Sequence, residues 1–120
     1  MSAVTNESIR VDASDPGVVH VVLTQMRDSG TDMGGPLWID RGNAAWIADH
    51  LDTILHSYGS EGAEATLGAD QLNVFESGDE RAPFYNVQNR RADGAAHAGV
   101  YALAMTRTAA EQLVSQLRSI

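Results

Sequence analysis

Two eighteen-residue segments of the chain resemble each other, and this similarity constrains the fold more than any other feature of the sequence. Residues 37–54 read LWIDRGNAAWIADHLDTI and residues 103–120 read LAMTRTAAEQLVSQLRSI. A gapless alignment finds five identities, at 37/103, 41/107, 44/110, 51/117 and 54/120. Each copy has the pattern of a strand end, a capped corner and an amphipathic helix. We therefore expect two pseudo-repeats, each with a helix that buries one apolar face. The alternative is that two generic strand–helix corners resemble each other without a duplication.

Both predicted helices carry an apolar stripe at helical spacing. The stripe of the first helix consists of Ala44, Ile47, Ala48, Leu51, Ile54, Leu55 and Tyr58, and that of the second of Ala110, Leu113, Val114, Leu117 and Ile120. Asp40 and Asn43 are residue types that accept backbone N–H bonds at a helix N-terminus, and Gly59 suits a helix C-cap. Thr108 and Glu111 have the spacing of a capping box. These signals mark the ends of the two predicted helices.

Six further segments are predicted to be strands, because they alternate apolar with polar residues or are rich in β-branched side chains. They cover residues 8–13, 18–25, 36–39, 71–76, 84–91 and 100–105, with residues 1–7 frayed and residues 60–70 as a linker. The order βββα–βββα does not allow a series of parallel crossovers, so the sheet should be mainly antiparallel. We expect one α+β domain over residues 1–120, with pseudo-repeats over 8–58 and 71–120. Its sheet should have five to six strands and carry both helices on one face.

Composition limits the class of protein to which the chain can belong. Hydrophobic residues make up 43% of the sequence, which is too high for a disordered chain. The absence of cysteine excludes disulfides and thiolate metal sites. The N-terminal residues have no signal-peptide pattern, and no apolar run approaches the roughly 20 residues of a membrane span. We therefore expect a cytoplasmic protein with no membrane partner.

The charge of the chain is unevenly distributed. The net charge is −8, and all eight cationic residues are arginine. Residues 1–70 contain eleven acids and three arginines, whereas residues 71–120 contain five of each, so the whole surplus lies in the first half. Such a negative field repels nucleic acid and favours a basic protein partner. The alternative is that the charge only maintains solubility.

The sequence contains no recognisable catalytic or cofactor motif, such as a nucleophile elbow, a phosphate-binding loop or a dinucleotide fingerprint. Asp52 and His56 are one helical turn apart and offer two metal ligands, but no third ligand is evident near them. We therefore predict no catalytic residues, no metal and no cofactor, and we lean away from an enzyme. A catalytic site assembled from distant residues stays open as an alternative.

The outward side of the first predicted helix carries the residues that we assign to partner binding. They are Trp46, Asp49, Asp52, Thr53 and His56. The second copy has Gln112, Ser115 and Ser119 where the first has Trp46, Asp49 and Thr53, so the copies differ on this side. A large aromatic side chain among acids is typical of the anchor of a protein interface. The alternative is that Trp46 packs beneath the 60–70 linker or beneath an N-terminal arm.

Three functions remain open from the sequence. The first is a non-catalytic acidic module that neutralises or escorts a basic protein, as an immunity protein or a small inhibitor does. The second is a binding protein or enzyme for an anionic ligand, with a site formed by Tyr85, Arg90, Arg91 and His20 near the second-half hairpin. The third is a homo-oligomeric structural protein, for example a homodimer, in which Trp46 is buried at a twofold interface.

Overall fold

The computed structural model describes residues 4–27, 30–33, 36–57, 59–79 and 81–120. Two groups of four strands are each followed by a helix. The elements are β1 (Val4–Asp12), β2 (Val18–Arg27), β3 (Gly30–Met33), β4 (Leu37–Asp40), α1 (Ala44–Leu55), β5 (Ala63–Leu67), β6 (Asp70–Asp79), β7 (Ala82–Arg91), β8 (Gly99–Met105) and α2 (Arg107–Arg118). A 3-10 turn, Arg41–Asn43, joins β4 to α1.

The strands form two antiparallel sheets instead of the single sheet that the sequence predicts. In the first sheet β1 pairs along one edge of β2, and β3 and β4 pair with opposite ends of its other edge, so the sheet is three strands wide. The second sheet is a meander with the order β5–β6–β7–β8. The α+β class, the two helices and the antiparallel pairing are confirmed. The duplication of a βββα unit stays a prediction.

Side chains of the second sheet prevent β4 from pairing with another strand. The backbone carbonyl of Trp38 accepts a hydrogen bond from Asn89 Nδ2 at 2.7 Å. The backbone N–H of Asp40 donates to Asp70 Oδ2, also at 2.7 Å. These side chains satisfy the backbone groups that a neighbouring strand would otherwise use, which is why the two sheets do not merge.

A polar cluster with a buried centre joins the two sheets, and we call it the Asp70 cluster. It consists of Asp40, Asn43, Asp70, Asn89 and Arg91. Asp70 is fully buried, and its Oδ1 accepts bonds from Arg91 Nη1 at 2.6 Å and from Asn89 Nδ2 at 2.9 Å. Its Oδ2 accepts a bond from Asn43 Nδ2 at 2.8 Å, and Arg91 Nη1 lies 3.1 Å from Asp40 Oδ1. The cluster therefore replaces backbone pairing between the sheets with hydrogen-bonded charges.

The two helices pack against each other and against the sheets, with their apolar stripes inward. All of the described residues predicted for the first stripe are buried, as are Ala110, Leu113, Val114 and Leu117 of the second. Tyr58 lies outside the described residues. Ile120 is 41% exposed because α2 ends at Arg118, so its assignment to the core is wrong. Neither helix of the described part of the chain is both long and apolar enough to cross a membrane.

The predicted helix caps are wrong. Neither Asp40 nor Asn43 caps the first turn, because the Asp70 cluster uses both side chains. Helix α1 ends at Leu55 with His56 as its C-cap, so Gly59 lies beyond the cap and donates its N–H to Glu76. In α2 the N-cap residue is Thr106, which bonds to Glu7 of β1. A long-range partner therefore replaces the local capping box that the sequence predicts at residues 108–111.

Two predicted irregular segments are strands. Residues 4–7 belong to β1 and are therefore not frayed, because they pair with β2. The predicted linker contains β5, which pairs along its whole length with β6. Three of its five residues, Ala63, Glu64 and Ala65, are of types that are depleted in strands. Pairing with a neighbouring strand outweighs the local preference here, as it often does in sheets.

Candidate protein-binding face

The five predicted partner-binding residues lie on or at the end of one helix. Trp46, Asp49, Asp52 and Thr53 belong to α1, and His56 is its C-cap. The buried stripe occupies the opposite side of the helix, so all five residues lie outside the core-facing arc. We call this set the α1 face. It consists of two flanks, because residues 46 and 52 are 120° apart around the helix axis at 100° per residue.

The acidic flank of the α1 face binds a cation of the same chain. Arg118 Nη2 of α2 lies 3.3 Å from Asp49 Oδ1 and 3.3 Å from Asp52 Oδ2. The hydrogen bond to Asp49 raises the pKa of the Arg118 guanidinium, and the bond to Asp52 adds to this effect. Asp49 is 71% exposed and Arg118 is 48% exposed, so water screens both contacts. The two carboxylates are therefore positioned to bind a guanidinium but hold this one weakly.

The other flank is aromatic. The Trp46 ring is half-buried and packs against the hydrophobic core. Its centroid lies 4.3 Å from that of His50, one turn along α1, at an interplanar angle of 43°. Packing on one side and exposure on the other leave the indole in a defined position with part of its surface accessible. Such a fixed aromatic side chain loses little conformational entropy when a partner covers it.

Thr53 and His56 are held by bonds within α1. Thr53 Oγ1 donates to the backbone carbonyl of Asp49 at 3.0 Å. His56 Nδ1 lies 2.8 Å from the carbonyl oxygen of Asp52 and 3.2 Å from its Oδ1. Among the residues that the structure describes, no group of three or more His, Cys, Asp or Glu side chains is arranged to hold a metal ion.

A groove between α1 and α2 continues the face. It has a volume of about 510 Å³, with Leu55 and Val114 at its apolar floor. Its rim carries charges of both signs, including Asp52 and the ion pair in which Arg107 Nε lies 3.0 Å from Glu111 Oε1. The groove is thus nearly neutral, and the negative charge of this surface is concentrated on the α1 side.

The structure does not bring together the residues predicted for an anionic ligand. Tyr85 and Arg91 are buried on the inner side of β7, where Arg91 belongs to the Asp70 cluster. Arg90 is exposed on the opposite side of the same strand. His20 lies on β2 and stacks on Trp38. Because these side chains point in different directions, they do not form one anion site.

A column of three rings was not anticipated from the sequence. Trp38 lies between His20, with ring centroids 4.0 Å apart, and His97, with centroids 3.6 Å apart. The planes are nearly parallel, at 6° and 4°. His97 has a φ of 58°, an uncommon value for a residue with a side chain, and Tyr101 donates its hydroxyl proton to the His97 carbonyl. The column fastens the loop before β8 to the first sheet.

We expect the stability of the protein to depend on pH through His20. Burial lowers the pKa of His20 below its ordinary value of 6.5, although nearby Asp12 opposes this effect. The unfolded chain therefore takes up a proton on His20 before the folded chain does, so the free energy of unfolding falls as the pH drops below 6.5. Urea unfolding from about pH 8 to about pH 5 should show this loss. The His20→Phe variant, which keeps a stacking ring, should show a smaller pH dependence. An unchanged dependence would contradict the assignment to His20.

No protein-family model matches the chain, and none of the curated proteins matches it either.

Proposed function

We propose that this protein is a non-catalytic binding module that captures a basic protein partner through the α1 face. An immunity protein or small inhibitor that neutralises a basic toxin in the cytoplasm is one concrete form of this activity. The observation that carries the proposal is the convergence of Asp49 and Asp52 on a single guanidinium. Arg118 acts as an internal stand-in for the arginine side chain of the partner.

Arg118 is a suitable stand-in because its contacts are weak. An exposed ion pair contributes about 0–1 kcal/mol, so displacement by an arginine of the partner costs little. The same carboxylates become stronger ligands once a partner excludes water from them.

Trp46 supplies the apolar part of the proposed interface. Tryptophan is one of the residue types most enriched among the energetic anchors of protein interfaces. Its packing against the core and its contact with His50 hold the ring in place before a partner binds. Complementary charge would accelerate the encounter, and burial of the indole would slow dissociation.

We also infer that the two halves arose by duplication, which bears on where the function lies. The alignment pairs Asp52 with Arg118, and their side chains are in contact, as equivalent positions near a pseudo-twofold axis would be. The aligned stripes are buried in both helices as far as Leu51 and Leu117, whereas Trp46 and Asp49 correspond to Gln112 and Ser115. The conserved side serves the fold in both copies. The divergent side is where the first copy acquired its own role.

Binding to an arginine-rich peptide immobilised on a surface tests the proposal. The Asp49→Asn/Asp52→Asn variant should bind more weakly than a matched control, Glu61→Gln/Asp93→Asn, which loses the same charge at two other exposed positions. Trp46→Ala should also weaken binding, whereas Arg118→Ala should strengthen it because the internal competitor is gone. Equal loss in both double variants would show that only net charge matters and would refute the proposed face.

A further inference from the structure

The outer edge of β5 is a second candidate surface for partner binding. The β5–β6 hairpin determines which backbone groups of β5 point away from the sheet. Leu67 and Asp70 flank a two-residue loop and therefore form a hydrogen-bonded pair. Because bonding alternates along an antiparallel ladder, Ala63, Ala65 and Leu67 direct their backbone groups toward β6. The N–H and C=O groups of Glu64 and Thr66 consequently point away from the sheet.

Side chains bond to outward backbone groups on β1, β4 and β8, so each of these outer strands is covered in part. On β1, Gln116 of α2 accepts a bond from the Val11 N–H and donates to the Ile9 carbonyl, each at 3.0 Å, as a neighbouring strand would. On β4, Asn89 and Asp70 close the edge, as described above. On β8, Gln25 Nε2 donates to the Ala104 carbonyl at 2.9 Å. Natural proteins cover edge strands because open edges pair with other chains.

Strand β5 has no comparable cover in the described part of the chain. It pairs only with β6, and no described side chain bonds the outward groups of Glu64 and Thr66. It also has no proline, no lysine and no inward-pointing charge, which are the usual devices against edge pairing. Only Glu64 contributes a charge, on the solvent side of the strand.

We propose that the β5 edge pairs with the β5 edge of a second copy of this chain, antiparallel about a twofold axis at Ala65. This register places Glu64 opposite Thr66 of the partner subunit, twice, and Ala65 opposite its own equivalent. The outward backbone groups of residues 64 and 66 then make four hydrogen bonds across the seam. The result is a continuous eight-stranded sheet.

The side chains across this seam are compatible. Each Glu64 carboxylate faces a threonine hydroxyl, which can donate to it, so no like charges lie directly opposite each other. Alanine at the axis allows close approach on the inner side. The seam is short, and such small interfaces give weak association, so the dimer forms only at high protein concentration. No residue of the α1 face belongs to the seam, and the proposal therefore stands independently of the proposed function.

Charge substitutions at the seam test both the association and its register. Sedimentation equilibrium should reveal a monomer–dimer equilibrium for the wild-type chain. Thr66→Arg places a cation opposite each Glu64 and should tighten the dimer roughly fivefold, and Thr66→Glu should weaken it by a similar factor. Gln71→Glu introduces the same charge one strand further in and is the matched control, expected to change little. Circular dichroism and thermal unfolding confirm that each variant folds.

Three results would overturn the proposal. One is a monomer at every concentration for both the wild-type and the Thr66→Arg chains. Another is a dimer that responds equally to Thr66→Glu and Gln71→Glu, which would show that net charge alone controls association. A third is a dimer that survives Thr66→Glu but is lost in Ala102→Arg or Trp46→Ala, which would place the interface at the β8 edge or at the α1 face.

Discussion

Replacement of Arg91 by alanine is expected to lower the free energy of unfolding by about 3–5 kcal/mol, because it leaves a buried charge without its partner. Asp70 is 0% exposed and Arg91 is 4% exposed, and their closest atoms are 2.6 Å apart. Loss of the guanidinium also removes the bond from Arg91 Nε to the Ala96 carbonyl, which holds the loop before β8. The midpoint of urea unfolding should fall accordingly.

Arg90 provides a matched control for this prediction. It precedes Arg91 on β7 and is the same residue type, but it is exposed on the other side of the strand. Arg90→Ala should change the free energy of unfolding by no more than about 0.5 kcal/mol. Similar losses in the two variants would contradict the assignment of Arg91 to the joint between the sheets.

Replacement of Leu51 by alanine is expected to cost about 2–5 kcal/mol of stability. Leu51 is completely buried in the apolar stripe of α1, in the core that this helix shares with α2 and the sheets. Truncation at such a position loses the transfer free energy of the side chain and leaves a cavity that the helices fill only in part. Chemical denaturation measures the loss directly.

Thr53→Ala is the corresponding control on the same helix. Thr53 is exposed, and its hydroxyl bonds only to the backbone carbonyl of Asp49. Alanine has the higher helix propensity, so the stability should change by less than about 0.5 kcal/mol. A large loss would show that the α1 face contributes to folding. A loss of binding in variants of the α1 face could then result from unfolding and not from a lost contact with the partner.

The helices could be predicted from the sequence because their cause is local. Leu51 and Leu113 recur at the helical period in the printed sequence, and both are buried where the period places them. The antiparallel arrangement also follows from element order, since consecutive strands without crossover helices can pair only in that way. These predictions needed no knowledge of which distant residues meet.

The helix caps and the side-chain bonds at the sheet edges could not be predicted, because they depend on residues that are far apart in the sequence. Thr106 bonds to Glu7, and Gln116 bonds to β1, across more than ninety residues of sequence. The sequence predicts a linker over residues 60–70, but residues 63–67 of this segment form strand β5 because they pair with β6.

In the α1 face, too, some features have local causes and others depend on distant residues. The sequence identified Trp46 and Asp49 as outward residues, since helical periodicity alone decides which side of α1 faces the core. It did not identify Arg118 as the cation between Asp49 and Asp52, although the alignment of the halves pairs Asp52 with Arg118. Contact between the helices depends on how they pack, which neither helix specifies by itself.

The sequence by itself determined the two helices, most of their buried stripes and the antiparallel class, because hydrophobic period and element order act within short segments. Only the tertiary structure decided that the strands divide into two sheets and that Arg91 belongs to their joint. The Arg91 guanidinium can be buried only because carboxylates pair with it. Those carboxylates, Asp40 and Asp70, lie 51 and 21 residues away in the chain. Residues 37–54 show the same division. The helical period of their own sequence determines which side chains face the core, whereas the packing of the rest of the fold determines what the outward side chains contact.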